Sequence, residues 1–464
     1  MRRIGTGLLW VGGIVLAVLM VYTVALDRGR SSHRPGAGSA LDAIDVAAVF
    51  PAREYWTEFR SGIDACAGRG LVRIAEDGDD SVVVETSTHR RRVRFAFHDV
   101  RGLRETREAV AMLTRRPAPP VALVGSSNTM LTAALADALR GAAGPDAKDG
   151  PVLLVPWASA VLVERVEPGA GPVALLDIEP GRTFRFCPNN QREADLVVRA
   201  LSEHDAGTTL SRAYIIEDRH DPYSVDLADC FQRAIERVAP GAEVVDHADT
   251  LDFTGMSDGT DLPRPSEDAL AETIWREAAQ LPDGRALWVV LPLQDQPANR
   301  MLLALRRQAR GPGPGPLRVV CGDGLSLGTL VALAGKPPFP VWCASFDTPT
   351  TFKGGVEAAA TAHIQIPAEI VSALVHCLDR PAGRGVTTAG LRQALRSLQI
   401  AAGDRAGLGR SIAFTPTGER RGDDLGHVLM IRPGATSIFA VPRQASGRLA
   451  APVAVWPGPD EGRP

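Results

Sequence analysis

From Ala43 onward, short apolar runs alternate with amphipathic stretches. The runs at 44–50 (IDVAAVF), 93–97, 121–125 (VALVG), 152–156 (VLLVP), 213–217 (AYIIE), 242–246, 287–291 (LWVVL), 317–321 (LRVVC) and 340–344 have the length and β-branched content of strands. Between them, apolar residues recur at helical spacing over 54–70, 103–115, 129–143, 190–204, 224–238, 267–281 and 297–309. Such alternation predicts βαβ units whose parallel sheets are covered on both faces, hence an α/β fold. Past 349 the pattern predicts helices at 367–379 and 387–398, then extended segments near 410–415, 427–432 and 437–441. Residues 252–268, rich in Asp, Gly, Pro and Ser, read as a surface excursion, and GPGPGP at 311–316 as a loop. The segment 446–464 reads as a disordered tail.

Composition adds three constraints. A chain of 464 residues, 45% hydrophobic and 23% charged, is too long for one ordinary domain and suits two lobes with appendages. A net charge of −3 offers no electrostatic footprint for nucleic acid. The basic residues are nearly all Arg spread through the chain, with Lys only at 148, 336 and 353. The N-terminus differs from the rest. After Arg2 and Arg3 an uncharged run from Ile4 to Leu26 is long enough, at 1.5 Å per residue, to cross a bilayer. It exceeds the apolar region of a cleaved signal peptide, and no Cys follows that could carry a lipid. Residues 1–26 are therefore expected to be an uncleaved single-pass anchor in the inner membrane. Residues 27–41 would be a flexible linker, and the large polar remainder would lie on the periplasmic side.

The candidate chemistry sits where strands end. Gly125-Ser126-Ser127-Asn128-Thr129 follows a strand and opens a helix, so its amides, hydroxyls and helix dipole suit a carboxylate. The same residues are also ordinary helix caps. Pro156-Trp157-Ala158-Ser159 could add donors and an indole wall, or be a plain loop. Asp323, flanked by Gly322 and Gly324, could meet an ammonium group that the glycines let approach, or be a turn Asp. Gly324-Leu325-Ser326-Leu327-Gly328 formally matches the G-x-S-x-G nucleophile elbow, with Asp347 or Asp379 and then His427 in hydrolase order. Gly322-Asp323 intervenes between that motif and its strand, which argues against it. The six cysteines form no CxxC and no zinc spacing, and their apolar contexts suggest buried thiols. Cys321 with Cys343 is the first pair to check for a disulfide. With no phosphate loop, HExxH or GxGxxG, no cofactor and no metal are expected.

In order along the chain, IDVAAVFP with YWTEFRSGIDACAGRG, PVALVGSSNTMLTAALADAL, PVLLVPWASAVL, FRFCPNNQREADLVVRAL, AYIIEDRHDPYSVDLADCFQRAI, LRVVCGDGLS and SIAFTPTGERRGD resemble the branched-chain-amino-acid-type substrate-binding proteins of ABC transporters. The resemblance runs from about residue 42 to 445. It implies the type I periplasmic-binding fold, with two doubly wound parallel sheets joined by three crossovers. Lobe one would comprise 42–184 and 349–411, and lobe two 185–347 and 412–445. It also implies a ligand held by Ser127, Thr129, Trp157, Ala158 and Ser159, with Tyr223 and Asp323 in the second lobe and Trp56 as an aromatic wall. Three departures stand out: Ser224 in place of a Gly, EDGDDSVVVETSTHRRR in place of a Gly-rich stretch, and the bulk of Trp157. The expected function is membrane-tethered capture of an amino acid or related carboxylate, without catalysis, for transport by an ABC permease. A ligand-sensing or scaffold domain with a repurposed cleft is the alternative, and a serine hydrolase using Ser326 the more distant one.

Overall fold

The computed structural model describes residues 43–143, 150–163, 171–246, 265–309, 315–325, 327–334, 336–346, 364–379, 386–422, 426–435, 437–441 and 451–456. The expected anchor (1–26) and linker (27–41), together with Ser326 and Asp347, lie outside them. No helix among the described residues is long and apolar enough to cross a membrane.

Lobe one contains β1 (Ile44–Phe50), α1 (Arg53–Gly68), β2 (Val72–Asp77), β3 (Ser81–Thr86), β4 (Arg92–Asp99), α2 (Leu103–Thr114), β5 (Ala122–Val124), α3 (Thr129–Ala143) and β6 (Val152–Val155). The small pair β7 (Leu162–Val163) and β8 (Val173–Ala174) then precedes β9 (Thr183–Arg185). The sheet runs β2-β3-β4-β1-β5-β6-β9. Strand β1 lies at its centre, parallel to both β4 and β5. Its last five residues are all buried, because helices cover both faces. Helix α1 supplies one cover by burying Trp56, Phe59, Ile63 and Cys66, a single face at spacings of three and four.

Lobe two begins with α4 (Asn190–His204) and continues through β10 (Thr209–Ile215), α5 (Pro222–Val238), β11 (Glu243–Asp246), α6 (Pro265–Ala278), β12 (Arg285–Leu291), α7 (Asp295–Gln308), β13 (Leu317–Cys321), α8 (Leu327–Leu333) and β14 (Val341–Ser345). The chain then returns to lobe one for α9 (Gln365–Leu378), α10 (Thr388–Arg396) and the antiparallel pair β15 (Gln399–Ile400) and β16 (Ile412–Ala413). It ends in lobe two with β17 (His427–Ile431), β18 (Ile438–Val441) and β19 (Val453–Trp456). The second sheet runs β11-β10-β12-β13-β14-β17-β18-β19, parallel as far as β14 and antiparallel beyond.

Three features differ from the sequence expectations. The stretch read only as replacing a Gly-rich segment forms the hairpin β2–β3, closed by a turn in which the Gly78 amide donates to the Ser81 carbonyl at 2.9 Å. Residues 453–456, expected in a disordered tail, pair with β18 because that strand otherwise leaves an open edge. Cys321 and Cys343 are register neighbours on β13 and β14, yet both are thiols packed in the apolar core, and none of the six cysteines forms a disulfide.

The crossovers converge on one helix. Glu369 on α9 is fully buried, as is its partner Arg420 from the third crossover. Arg420 also donates to the carbonyl of Phe186 in the first crossover at 3.3 Å and to that of Ser411 at 2.7 Å. Arg410 lies 4.0 Å from Glu369 and donates to the carbonyl of Phe346, where the second crossover begins. Each buried guanidinium thus satisfies backbone oxygens that the crossovers would otherwise leave unpaired. The hairpin carrying Arg420 lies flush against β9, and this needs Gly418. Its φ is +91°, and a Cβ there would lie 1.9 Å from the Thr183 carbonyl oxygen. Replacing Glu369 by Ala strands two buried arginines and is expected to cost about 3–5 kcal/mol of stability. Urea denaturation at neutral pH measures it, and an unchanged midpoint would show that the crossovers do not depend on this cluster.

Candidate functional site

The first wall lies at the carboxyl ends of β1, β5 and β6. After β5 the chain turns sharply because Gly125 packs on β1, where a Cβ would meet the Val49 carbonyl oxygen at 2.4 Å. Asn128 caps α3 by accepting the Leu131 amide at 2.9 Å, and Thr132 accepts the Ser126 amide at 3.1 Å. The cap is thus already occupied by Asn128 and Thr132. Two other hydroxyls of the turn are left over: Ser126 and Thr129 are buried, and neither Oγ nor Oγ1 has a hydrogen-bond partner among the described residues. Ser127 is half-buried. The same holds after β6, where the buried Ser159 Oγ and the Trp157 indole nitrogen have no partner among the described residues. Ala158 is buried between them. The ring of Trp157 sits 5.6 Å from both Phe50 and Tyr55.

The second wall is formed by α4, α5 and the end of β13. Asp221 caps α5 through the Tyr223 amide at 3.0 Å, with Pro222 supplying the first turn. This aims the Tyr223 hydroxyl at Asp323, to which it donates at 2.7 Å, while accepting the Gly324 amide at 3.0 Å. The Asp323 amide donates to Glu193 Oε1 at 2.6 Å. The flanking glycines therefore admit protein groups rather than a ligand. A Cβ on Gly322 would lie 2.6 Å from both Glu193 Oε1 and the Tyr223 hydroxyl, and one on Gly324 2.7 Å from the Leu293 carbonyl. Burial raises the Asp323 carboxyl above its usual range, while the Tyr223 hydrogen bond pulls it down. Burial together with the Asp323 charge holds Glu193 well above the ordinary range. Ser224, at the position where the resembled family has Gly, is buried and accepts the Asp218 amide at 2.8 Å, so its hydroxyl serves the strand-to-helix loop.

Asn190 joins the walls. Its amide donates to the Ser159 carbonyl at 2.8 Å, and its side chain donates to the Tyr223 carbonyl at 3.3 Å and to Asp226 at 2.9 Å. Asp226, on α5, also accepts the amides of Val161 and Leu162 at 2.7 and 2.8 Å. The buried Arg185 donates to the carbonyls of Ser159 and Ala160 at 3.1 and 2.6 Å. Asn190, Glu193, Asp226 and Arg185 were not singled out from the sequence. Asn190 and Glu193 lie within the NNQRE run, where they look like ordinary residues of a helix's first turn.

Trp56 lies elsewhere. It is 1% exposed, stacked on Phe97, and donates its indole N–H to the Asp79 carbonyl at 2.8 Å, so it fastens the β2–β3 turn rather than walling a cleft. Its neighbour Tyr55 is the aromatic beside Trp157. Asp379, one candidate acid of the hydrolase arrangement, is taken up by the β3–β4 turn. It accepts from Thr86 Oγ1 at 2.6 Å and from the amides of Thr88 and His89 at 3.0 and 2.7 Å. His427 belongs to the other lobe, opposite Ser345 in the sheet, so this pair does not form a catalytic couple.

No protein-family model and no curated protein matches the sequence. Solved structures do match. An ABC transporter substrate-binding protein from Desulfitobacterium hafniense in complex with Leu has a TM-score of 0.56 at 16% identity, covering 85% of this chain and 98% of that one. The leucine-, isoleucine-, valine-, threonine- and alanine-binding protein of Brucella ovis, in a closed conformation, has a TM-score of 0.60 at 11% identity, covering 89% and 94%. A solute-binding protein of an ABC transporter from Rhodopseudomonas palustris, in complex with 3,4-dihydroxybenzoic acid, has a TM-score of 0.54 at 11% identity, covering 91% and 100%. With two α/β lobes, repeated crossovers and these neighbours across nearly its whole described length, the chain has the type I periplasmic-binding fold of the branched-chain-amino-acid substrate-binding proteins.

Proposed function

We propose that this protein is a solute-binding protein that closes on a small carboxylate-bearing ligand, an amino acid or a relative, and delivers it to an ABC permease. The observation that carries this reading is the set of buried, unpartnered donors on the first wall: Ser126 Oγ, Thr129 Oγ1, Ser159 Oγ and the Trp157 indole nitrogen. Buried polar groups are ordinarily paired, so a cluster of orphans at strand ends calls for a partner that brings acceptors. A carboxylate brings four lone-pair positions. Asp323, oriented by Tyr223, suits an ammonium group on the other side. That the neighbours include complexes with Leu and with 3,4-dihydroxybenzoic acid supports a small carboxylate. The uncharged run from Ile4 to Leu26 supports tethering to the inner membrane, with the lobes on the periplasmic side. Closure is a hinge motion about the crossovers, and the Asp226 grip on the loop after Ser159 would hold the closed form.

The alternative, a sensory or scaffold domain with a repurposed cleft, draws on Trp157, whose ring packs with Phe50 and Tyr55 and takes space a ligand side chain would use.

A thermal-shift screen of residues 40–464 against amino acids, amides and aromatic carboxylates is expected to single out one ligand class. A ligand at 100 times its Kd adds about 2.7 kcal/mol. Silence across the panel would move the weight to the sensory or scaffold reading. For the ligand so found, Thr129→Val and Ser159→Ala are each expected to weaken binding about tenfold in calorimetry, because each deletes a desolvated donor to charge. Unchanged affinity in either variant would remove that hydroxyl from the site.

A further inference from the structure

Glu193 has no role in the ligand contacts described so far. It is 1% exposed on the first turn of α4, and while Oε1 accepts the Asp323 amide, Oε2 has no hydrogen-bond partner. The absence of a side chain at Gly322 lets Glu193 and Tyr223 close on this strand end together, so two carboxyl groups and a phenol occupy one corner. Two carboxylates confined in this way cannot both ionise at ordinary cost. Other polar groups in the same corner are also unsatisfied: Asn190 Oδ1 and Ser159 Oγ are buried without partners.

We propose that Glu193 and Asp323 form one specificity-determining acid pair, which keeps a proton in the open protein and releases it to water when a ligand's ammonium or amidinium group docks on Asp323. Before docking the pair carries one negative charge. Afterwards it carries two, and the incoming cation offsets the charge that the departing proton exposes, so the corner keeps a net charge of minus one while the proton goes to water. A neutral or purely anionic ligand cannot make this exchange, so the pair would select for a cationic head group. This deepens the solute-binding reading and presupposes it.

The surroundings support a shared proton. From α5 come Tyr223 and the Asp226 carboxyl, from the first crossover Cys187, and from β14 Cys343. Of the cations nearby, Arg185 is engaged by the carbonyls of Ser159 and Ala160 and lies 3.7 Å from Glu419, and Arg192 donates to the carbonyls of Arg420 and Gly422. Burial, the Asp323 charge and, to a smaller extent, Asp226 all push Glu193 upward. On its other side Glu193 lines a cavity of about 180 Å³ with Arg192, Asp195, Arg199 and Phe346.

The test has a ligand-free arm and a cation arm. A carboxyl whose pKa is raised by folding lowers stability as pH climbs above its unfolded value of about 4.3. Glu193→Gln keeps the acceptor for the Asp323 amide, so it should raise the melting temperature at pH 8 by about 3 °C and converge on the parent near pH 4. In an Asp323→Asn background the gain should shrink. An equal effect at both pH values, or none, overturns the shared proton whatever the protein binds. In the second arm, methylammonium chloride is compared with equal sodium chloride at pH 6 and pH 8. It should stabilise the parent more at pH 8, and should not stabilise Asp323→Asn. A response independent of pH, or no response, overturns the exchange. Failure of the solute-binding reading would appear separately, as silence of the ligand panel with the first arm intact.

Discussion

The two lobes can be one protein because the chain passes between them through a buried cluster of charges, and that cluster depends on Glu369. Crossing segments cannot use the hydrogen bonds of either sheet, so their carbonyls must be satisfied locally or left unpaired at a cost of about 1–3 kcal/mol each. Arg410 and Arg420 meet that need at Phe346, Phe186 and Ser411. Two buried guanidinium groups would be untenable without a counter-charge, and Glu369, itself held by Gln365 at 2.8 Å, supplies it. The whole arrangement sits on α9, the helix that also closes the lobe-one core.

The walls of the cleft follow a related rule of polar pairing. At three turns the partner that a cap or backbone group needs is not a proposed ligand contact: Asn128 and Thr132 for α3, Asp221 for α5, Ser224 for the loop before it. The remaining hydroxyls of the first wall are thereby left without intramolecular work. Arg185 and Asn190 then hold the loop around Ser159 by its carbonyls, so that its position depends on the end of β9 and on the first turn of α4 as much as on β6. As the proposed binding surface it would be pre-organised, which lowers the ordering cost of capture.

The acid corner shows how one small residue changes the meaning of its neighbours. A glycine on either side of an Asp reads as room for a ligand. Here that room is filled by a tyrosine and a glutamate, and the Asp becomes one member of a buried network. Networks of this kind are costly when partly satisfied and selective when completed, because a ligand lacking the missing group leaves buried atoms unpaired.

The alternation of apolar runs and amphipathic stretches by itself determined the fold class and most element positions, including α3, α4, β1 and β13 to the residue. It did so because both signals are local, set by burial on one face or two. The strand-end turns at Ser127–Thr129, Trp157–Ser159 and Asp323 were legible for the same reason. The hairpin β2–β3 was missed although DGDD before a Val run carried a turn signal, because charge on the flanks masked it. Only the tertiary structure decided which candidates meet. Trp56 and Tyr55 are adjacent in sequence, and a helix turns them 100° apart, one into the core and one toward Trp157. Glu193 and Asp323 are separated by 130 positions and meet because β13 ends beside the first turn of α4. Proximity of that kind is set by how the sheet and its helices pack, which no local pattern encodes.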